Sequence, residues 1–233
     1  MSGHIEDGMI RRVFCALAAL FLLVGCVEPV PSDGEARIMA MGDSLMAWNS
    51  PSGRSVSDAL EARLGQPVID RSVSGASYLY PLPISGRLGL RIERQFVEGS
   101  WDWVVLNGGG NDLWLGCGCG RCARQLERLI NADGTRGAIP ELVARIRARG
   151  TRVAYVGYLR TPGFRSPVEG CVTIGNALEG RIAALAARDP GVVFLSNADL
   201  VPNGDRSFHD SDLLHPSPKG SAAIAERLAS VIN

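Results

Sequence analysis

Three histidines occur in the chain, and one of them, His215, follows an aspartate by three residues in the stretch DLLHPSPKG. In a tight turn that spacing lets the Asp212 carboxylate accept from Nδ1 of the imidazole and leaves Nε2 free as a base. A base needs a proton to take. Ser44, in GDSLMAWN, offers a hydroxyl directly after an apolar run, where a strand-to-helix turn would expose its Oγ. Two further stretches offer N–H donors: Gly75 through its backbone in SVSGAS, and Asn111 through its side-chain amide at the end of VVLNGGGND. Together these are the parts of acyl transfer, with a nucleophile, a base, an orienting carboxylate and donors for an oxyanion.

Each part also has a plainer role. Ser44 could cap a helix, as serines commonly do. Asp43 is expected to fix the turn through backbone hydrogen bonds, and Asp112 to be structural. The run Gly108 to Gly110 marks a place where the chain turns sharply or approaches something closely, and Gly108 reads as a turn residue. The glycines beside Asn111 are expected to aim its amide into a site and to let a substrate carbonyl approach the backbone. Among the histidines, His4 lies ahead of the fold and His209, beside Asp210, is the rival to His215 as base. Trp48, Tyr78, Tyr80 and Trp114 are candidates to line an acyl or sugar pocket.

The elements that must bring these groups together alternate along the chain. ARIMAMG, QPVID, WDWVVLN, TRVAYVGYL and GVVFLSN are short, nearly continuous apolar runs, the pattern of parallel strands covered on both faces. Between them lie the amphipathic stretches VSDALEARL, LRIERQFVE, CARQLERLI, IPELVARIRARG, GNALEGRIAALAARD and KGSAAIAERLASVI. This order predicts a doubly wound α/β domain over residues 36–233, whose ligands bind beyond the carboxyl ends of the strands. Ser44, Gly75 and Asn111 each follow a different strand and so share that edge. The irregular insert SYLYPLPISGRLG is expected to border the site.

Composition narrows the chemistry. The chain has 233 residues, 46% of them hydrophobic, and no formal net charge at pH 7. That is enough to bury one sizeable core, and it lacks the basic footprint on which nucleic-acid binding relies. Lys219 is the only lysine. A phosphate-binding G-x-x-x-x-G-K-[ST] loop is therefore excluded, and so is an obvious Schiff-base lysine.

The first 35 residues read as targeting sequence. Arg11 and Arg12 precede an apolar stretch, Val13 to Val24, of the length of a secretory h-region, and it ends in LLVGC. That ending resembles a bacterial lipobox, which implies lipidation at Cys26, removal of the preceding residues as a signal peptide, and VEPVPSDGE (residues 27–35) as a tether. Met9 is an alternative start to Met1. The expectation is an exported lipoprotein of the bacterial cell envelope, held to a membrane by lipid. Beyond the signal and lipobox, Cys117, Cys119, Cys122 and Cys171 remain. An even number in an oxidising compartment favours two disulfides, with three possible pairings, over a zinc site of four thiolates.

Four blocks now stand in order: GDSL at 42 to 45, Gly75 within SVSGAS, GGND at 109 to 112, and DLLH at 212 to 215. In this the chain resembles the SGNH, or GDSL, hydrolase family over nearly all of its mature length. The resemblance implies a flavodoxin-like three-layer α/β/α sandwich with a parallel sheet of about five strands. It also implies Ser44 as nucleophile, His215 as general base, Asp212 as its partner, and Gly75 and Asn111, with the Ser44 backbone N–H, as the oxyanion hole. The implied activity is hydrolysis of a carboxylic ester or thioester of a small acyl or lipid substrate through an acyl-enzyme, with no metal or organic cofactor. Removal of O-acetyl groups from carbohydrate, or a catalytically silent binding lipoprotein of this fold, are the alternatives. Asp70 and Ser72 stand where the family often has an asparagine and an additional glycine. The cysteine cluster lies outside the family's general pattern and is expected to stiffen the loop that carries Asn111.

Overall fold

The computed structural model describes residues 36–163 and 165–232. The signal segment, Cys26 and the tether lie outside them. Five parallel strands, β1 (Ile38–Met41), β2 (Val68–Asp70), β3 (Trp103–Leu106), β4 (Arg152–Val156) and β5 (Val192–Leu195), form one sheet in the order β2-β1-β3-β4-β5. All five fall within the apolar runs. The helices are α1 (Ser44–Ala47), α2 (Val56–Leu64), α3 (Gly110–Cys117), α4 (Ala123–Leu129), α5 (Ala138–Arg147), α6 (Val172–Ala186) and α7 (Pro218–Ile232), with shorter turns between.

Strand residues alternate between two cores because successive side chains point to opposite faces. Ile38, Ala40, Val105, Ala154 and Val156 pack on one face under α2 and α7, which contribute Val56, Leu60, Ile224 and Leu228. Met39, Met41, Val104, Leu106, Val153 and Tyr155 pack on the other, under α4, α5 and α6, which contribute Leu126, Leu129, Ile139, Val143 and Ile182. With both faces covered, neither side of a strand is left to be polar, which is why the strands read as unbroken apolar runs.

Two elements differ from expectation. LRIERQFVE forms only a single 3-10 turn, Ile92–Arg94, after an extended Arg91 at φ −98°, ψ 113°. The reason lies in Gln95, whose side chain is buried and spent on backbone elsewhere: Nε2 donates to the carbonyls of Gly42 and Gly89, both at 2.8 Å, and Oε1 accepts the Gly42 N–H at 2.7 Å. Conversely, Asn111 sits in the first turn of a helix, α3, instead of a loop. The disulfides therefore stiffen the far end of that helix.

β1 lies between β2 and β3, so the chain leaves it in one direction to reach β2 and later returns on its other side. At such a reversal the connections after neighbouring strands diverge and leave a crevice at the carboxyl edge, where doubly wound folds bind ligands.

Candidate active site

The crevice receives the turn after β1 first. Asp43 caps α1 by accepting the Leu45 N–H at 3.0 Å, which places Ser44 at the first helical position. The other Asp43 oxygen accepts the Tyr158 hydroxyl at 2.5 Å. Asp43 is 2% exposed, and burial raises its pKa even though the Tyr158 and Leu45 donors and the nearby His215 pull it down. The expected structural role of Asp43 is what the geometry gives.

His215 arrives from the loop before α7. Its Nε2 lies 2.8 Å from Ser44 Oγ and its Nδ1 lies 2.5 Å from Asp212 Oδ2. Asp212 Oδ1 accepts the backbone N–H groups of Leu214 and His215, both at 3.0 Å, so the carboxylate is held from its own turn. Burial pushes the Asp212 pKa up, but the His215 and Leu214 N–H groups and the imidazole outweigh it and hold it below the ordinary carboxylate value. The turn requires Leu213 at φ +56°, a left-handed conformation that a bulky residue rarely adopts. His209 is buried, its pKa lowered by that burial, and its ring makes no hydrogen bond to Ser44. Of the two histidines, only His215 meets the serine.

Asn111 donates through Nδ2 to the Ala76 carbonyl at 2.9 Å, which ties its amide to the residue after Gly75. Gly75, at φ +80°, forms the exposed tip of a turn closed by Ala76 N–H on Val73 O at 3.0 Å. Asp112 is structural: its carboxylate accepts the Tyr78 and Leu79 N–H groups at 3.0 and 2.8 Å.

The glycine run makes the expected sharp turn, and the close approach is one of the protein to itself. A Cβ on Gly108 would meet Ile92 Cδ1 at 2.4 Å, one on Gly109 would meet Leu178 Cδ2 at 2.9 Å, and one on Gly110 would meet the Tyr158 ring at 2.7 Å. Gly108 and Gly109 also take φ of +147° and +98°. The room a Cβ would need at these glycines is filled by the protein's own side chains, so they allow close packing around Asn111, and Gly110 also lines the cavity beside Ser44. Tyr158, which the sequence did not mark, completes this corner by accepting the Gly110 N–H at 2.8 Å while donating to Asp43. No signal in the sequence set it apart from any tyrosine after a strand.

Beside Ser44, Asn111 and His215 opens a cavity of about 120 Å³. Its wall is mostly apolar, with Leu113, Trp114, Val168, Val172, Leu213 and Leu214, and the polar pair Arg160 and Glu179 also lines it. Glu179 is buried and accepts two Arg160 donors at 3.0 and 2.6 Å and the Tyr158 N–H at 2.9 Å. The insert SYLYPLPISGRLG does not contribute to the wall, which comes instead from α3, the segment after β4 and the start of α6. Of the four candidate aromatics only Trp114 lines the cavity: Tyr78 is buried with its hydroxyl on that of Tyr155, Tyr80 bonds Ser85, and Trp48 stacks on His215.

The cysteines pair as Cys117 with Cys122 and Cys119 with Cys171. The second bridge joins the end of α3 to the residue that opens α6, and Cys171 itself lines the cavity. With all four sulfurs in disulfides, the zinc alternative is overturned.

Comparison with known proteins bears on the fold and the family. A search of curated proteins returned no match. Among solved structures, a GDSL-like lipase from Bacteroides thetaiotaomicron is similar at 19% identity and a TM-score of 0.60, over 87% of this chain and 90% of that one. A family two carbohydrate esterase from Clostridium thermocellum, an active-site mutant, is similar at 19% identity and a TM-score of 0.56, over 88% of this chain and 64% of that one. A family two carbohydrate esterase from Corynascus thermopiles gives 18% and 0.55, over 88% and 66%. These likenesses establish the SGNH hydrolase fold, an α/β/α sandwich on a five-stranded parallel sheet. Residues 40–223 match the model of the GDSL-like lipase/acylhydrolase family, a span that runs from within β1, ahead of Ser44, into α7, after His215, and the chain belongs to that family.

Proposed function

We propose that the protein hydrolyses carboxylic esters, or thioesters, of small acyl groups through an acyl-enzyme on Ser44. The observation that carries this reading is the relay from Asp212 Oδ2 through the imidazole of His215 to Ser44 Oγ, with heavy-atom separations of 2.5 and 2.8 Å. His215 Nε2 takes the proton as Oγ bonds to the ester carbonyl carbon, and the charge passes to the carbonyl oxygen. The second Asn111 Nδ2 hydrogen and the backbone N–H groups of Ser44 and Gly75 are the donors for that oxygen. His215 returns the proton to the departing alkoxide or thiolate, and a water activated by the same nitrogen then releases the acid.

The apolar wall supports an acyl group as the part held beside Ser44, and its volume suits a short one: a cavity of roughly 150 Å³ admits a benzene-sized molecule. A second reading, deacetylation of carbohydrate, is supported by the two carbohydrate esterases among the structural neighbours, since an acetyl group fits the same cavity. The lipobox-like LLVGC supports export and lipidation at Cys26, which palmitate incorporation lost in Cys26→Ala would test.

The deciding experiment is a panel of p-nitrophenyl esters from acetate to long acyl chains beside acetylated sugars, with Ser44→Ala as blank and fluorophosphonate labelling of the wild type. Labelling at Ser44 and hydrolysis that Ser44→Ala abolishes are expected. An unlabelled Ser44, or equal rates in Ser44→Ala, would leave a binding protein of this fold.

A further inference from the structure

The helix that presents Ser44 ends four residues later in Trp48, whose backbone N–H donates to the Ser44 carbonyl at 3.0 Å. The indole lies flat on the imidazole of His215, with ring centroids 3.7 Å apart and planes 6° from parallel. Its Nε1 donates to Asp210 Oδ2 at 2.9 Å, on the loop that carries His215. The next residue, Asn49, takes the left-handed φ of +68° and donates from Nδ2 to the Pro216 carbonyl at 2.9 Å, on the other side of the histidine. The nucleophile's turn thus grips the base's loop at Asp210, at the ring and at Pro216.

We propose that Trp48 is a positioning residue, whose stacked face holds the His215 ring in the plane from which Nε2 reaches Ser44. The proposal rests on the hydrolase reading above for its kinetic consequence. An imidazole turns about its Cβ–Cγ bond over a broad, shallow well, so hydrogen bonds at its two nitrogens alone hold its plane loosely. The carboxylate on Nδ1 belongs to Asp212, 36% exposed at its side chain, where water competes for that bond. A flat neighbour removes the remaining rotation without occupying either nitrogen. Trp48 does not act as substrate wall: one face is covered by His215, the N–H is taken by Asp210, and the residue is not among those that line the cavity.

The test compares Trp48→Phe, which keeps a flat ring, with Trp48→Leu, which keeps apolar bulk without one. Trp48→Leu is expected to lower kcat on a p-nitrophenyl ester by about ten- to a hundredfold, the scale of a misplaced reacting group, with KM within about threefold of wild type. Trp48→Phe is expected to retain most of kcat. Spectra of ¹⁵N-histidine-labelled protein, read for the Nδ1–H of His215, are expected to show a sharp signal in wild type and Trp48→Phe and a broadened or lost one in Trp48→Leu. That readout does not depend on turnover, so a wild type inert to every ester would count against the hydrolase reading and leave the spectra to decide this one. Equal kcat and spectra in the Leu and Phe variants, or a loss confined to KM, would overturn the positioning role.

Discussion

Tyr158 and Asp43 are joined by a hydrogen bond of 2.5 Å between hydroxyl and buried carboxylate, and the same hydroxyl accepts the Gly110 N–H at 2.8 Å. One oxygen therefore links the turn that presents Ser44 to the turn that presents Asn111. Trimming it leaves a carboxylate short of a donor and an N–H short of an acceptor. Tyr158→Phe is expected to lower stability by about 1 to 3 kcal/mol. Turnover should fall by roughly tenfold as the two turns lose their shared anchor. Thermal melts and ester kinetics on the same preparation check both.

In the proposed reaction Asn111 contributes a donor that matters only once charge has moved to the substrate oxygen. Asn111→Asp keeps the size of the side chain and removes its N–H groups. A fall in kcat of about 10² to 10³, with little change in KM, is expected from steady-state kinetics.

The two disulfides close loops of very different length, with sequence separations of 5 for Cys117–Cys122 and 52 for Cys119–Cys171. By loop entropy, serine at both positions of the longer bridge should cost about 4 kcal/mol, against about 2 kcal/mol for the shorter. Only the longer bridge holds the start of α6, where Cys171 and Val172 line the cavity. KM for acyl esters is expected to rise in the Cys119→Ser/Cys171→Ser protein and to stay near wild type in the other pair.

Asp112 is buried beneath Tyr78 and Leu79, and burial pushes its pKa up to about 6, against the pull of those two N–H groups. A carboxyl whose folded pKa is raised favours the fold while protonated, and that contribution is lost as pH rises from about 4 through about 6. Asp112→Asn has no such loss. Relative to wild type, the variant should therefore gain stability between pH 4 and pH 7.5, by up to about 3 kcal/mol, in chemical denaturation at both pH values.

Several of these relationships are legible in the sequence. The five strands show as apolar runs because both faces of the sheet are covered, and burial on two sides leaves an unambiguous pattern. Asp212 and His215 could be paired from spacing alone, since three residues suffice for a turn. Gln95 is the counterexample. Its neighbours carry helical periodicity, yet its amide is committed to Gly42, 53 residues away, and that distant bond is absent from any local window. The glycines at 108 to 110 announced a close approach but not what approached, because the partners Ile92, Leu178 and Tyr158 come from other parts of the chain.

The order of strands and helices, the edge to which Ser44, Gly75 and Asn111 are delivered, and the pairing of Asp212 with His215 follow from the sequence, because each depends on side-chain alternation or on a few consecutive residues. Which histidine meets Ser44, which cysteines join, what walls the cavity, and that Trp48 lies on His215 and outside the cavity wall were settled only by the packed structure. Such contacts join residues up to 171 positions apart, and their geometry is set by how helices lie against the sheet.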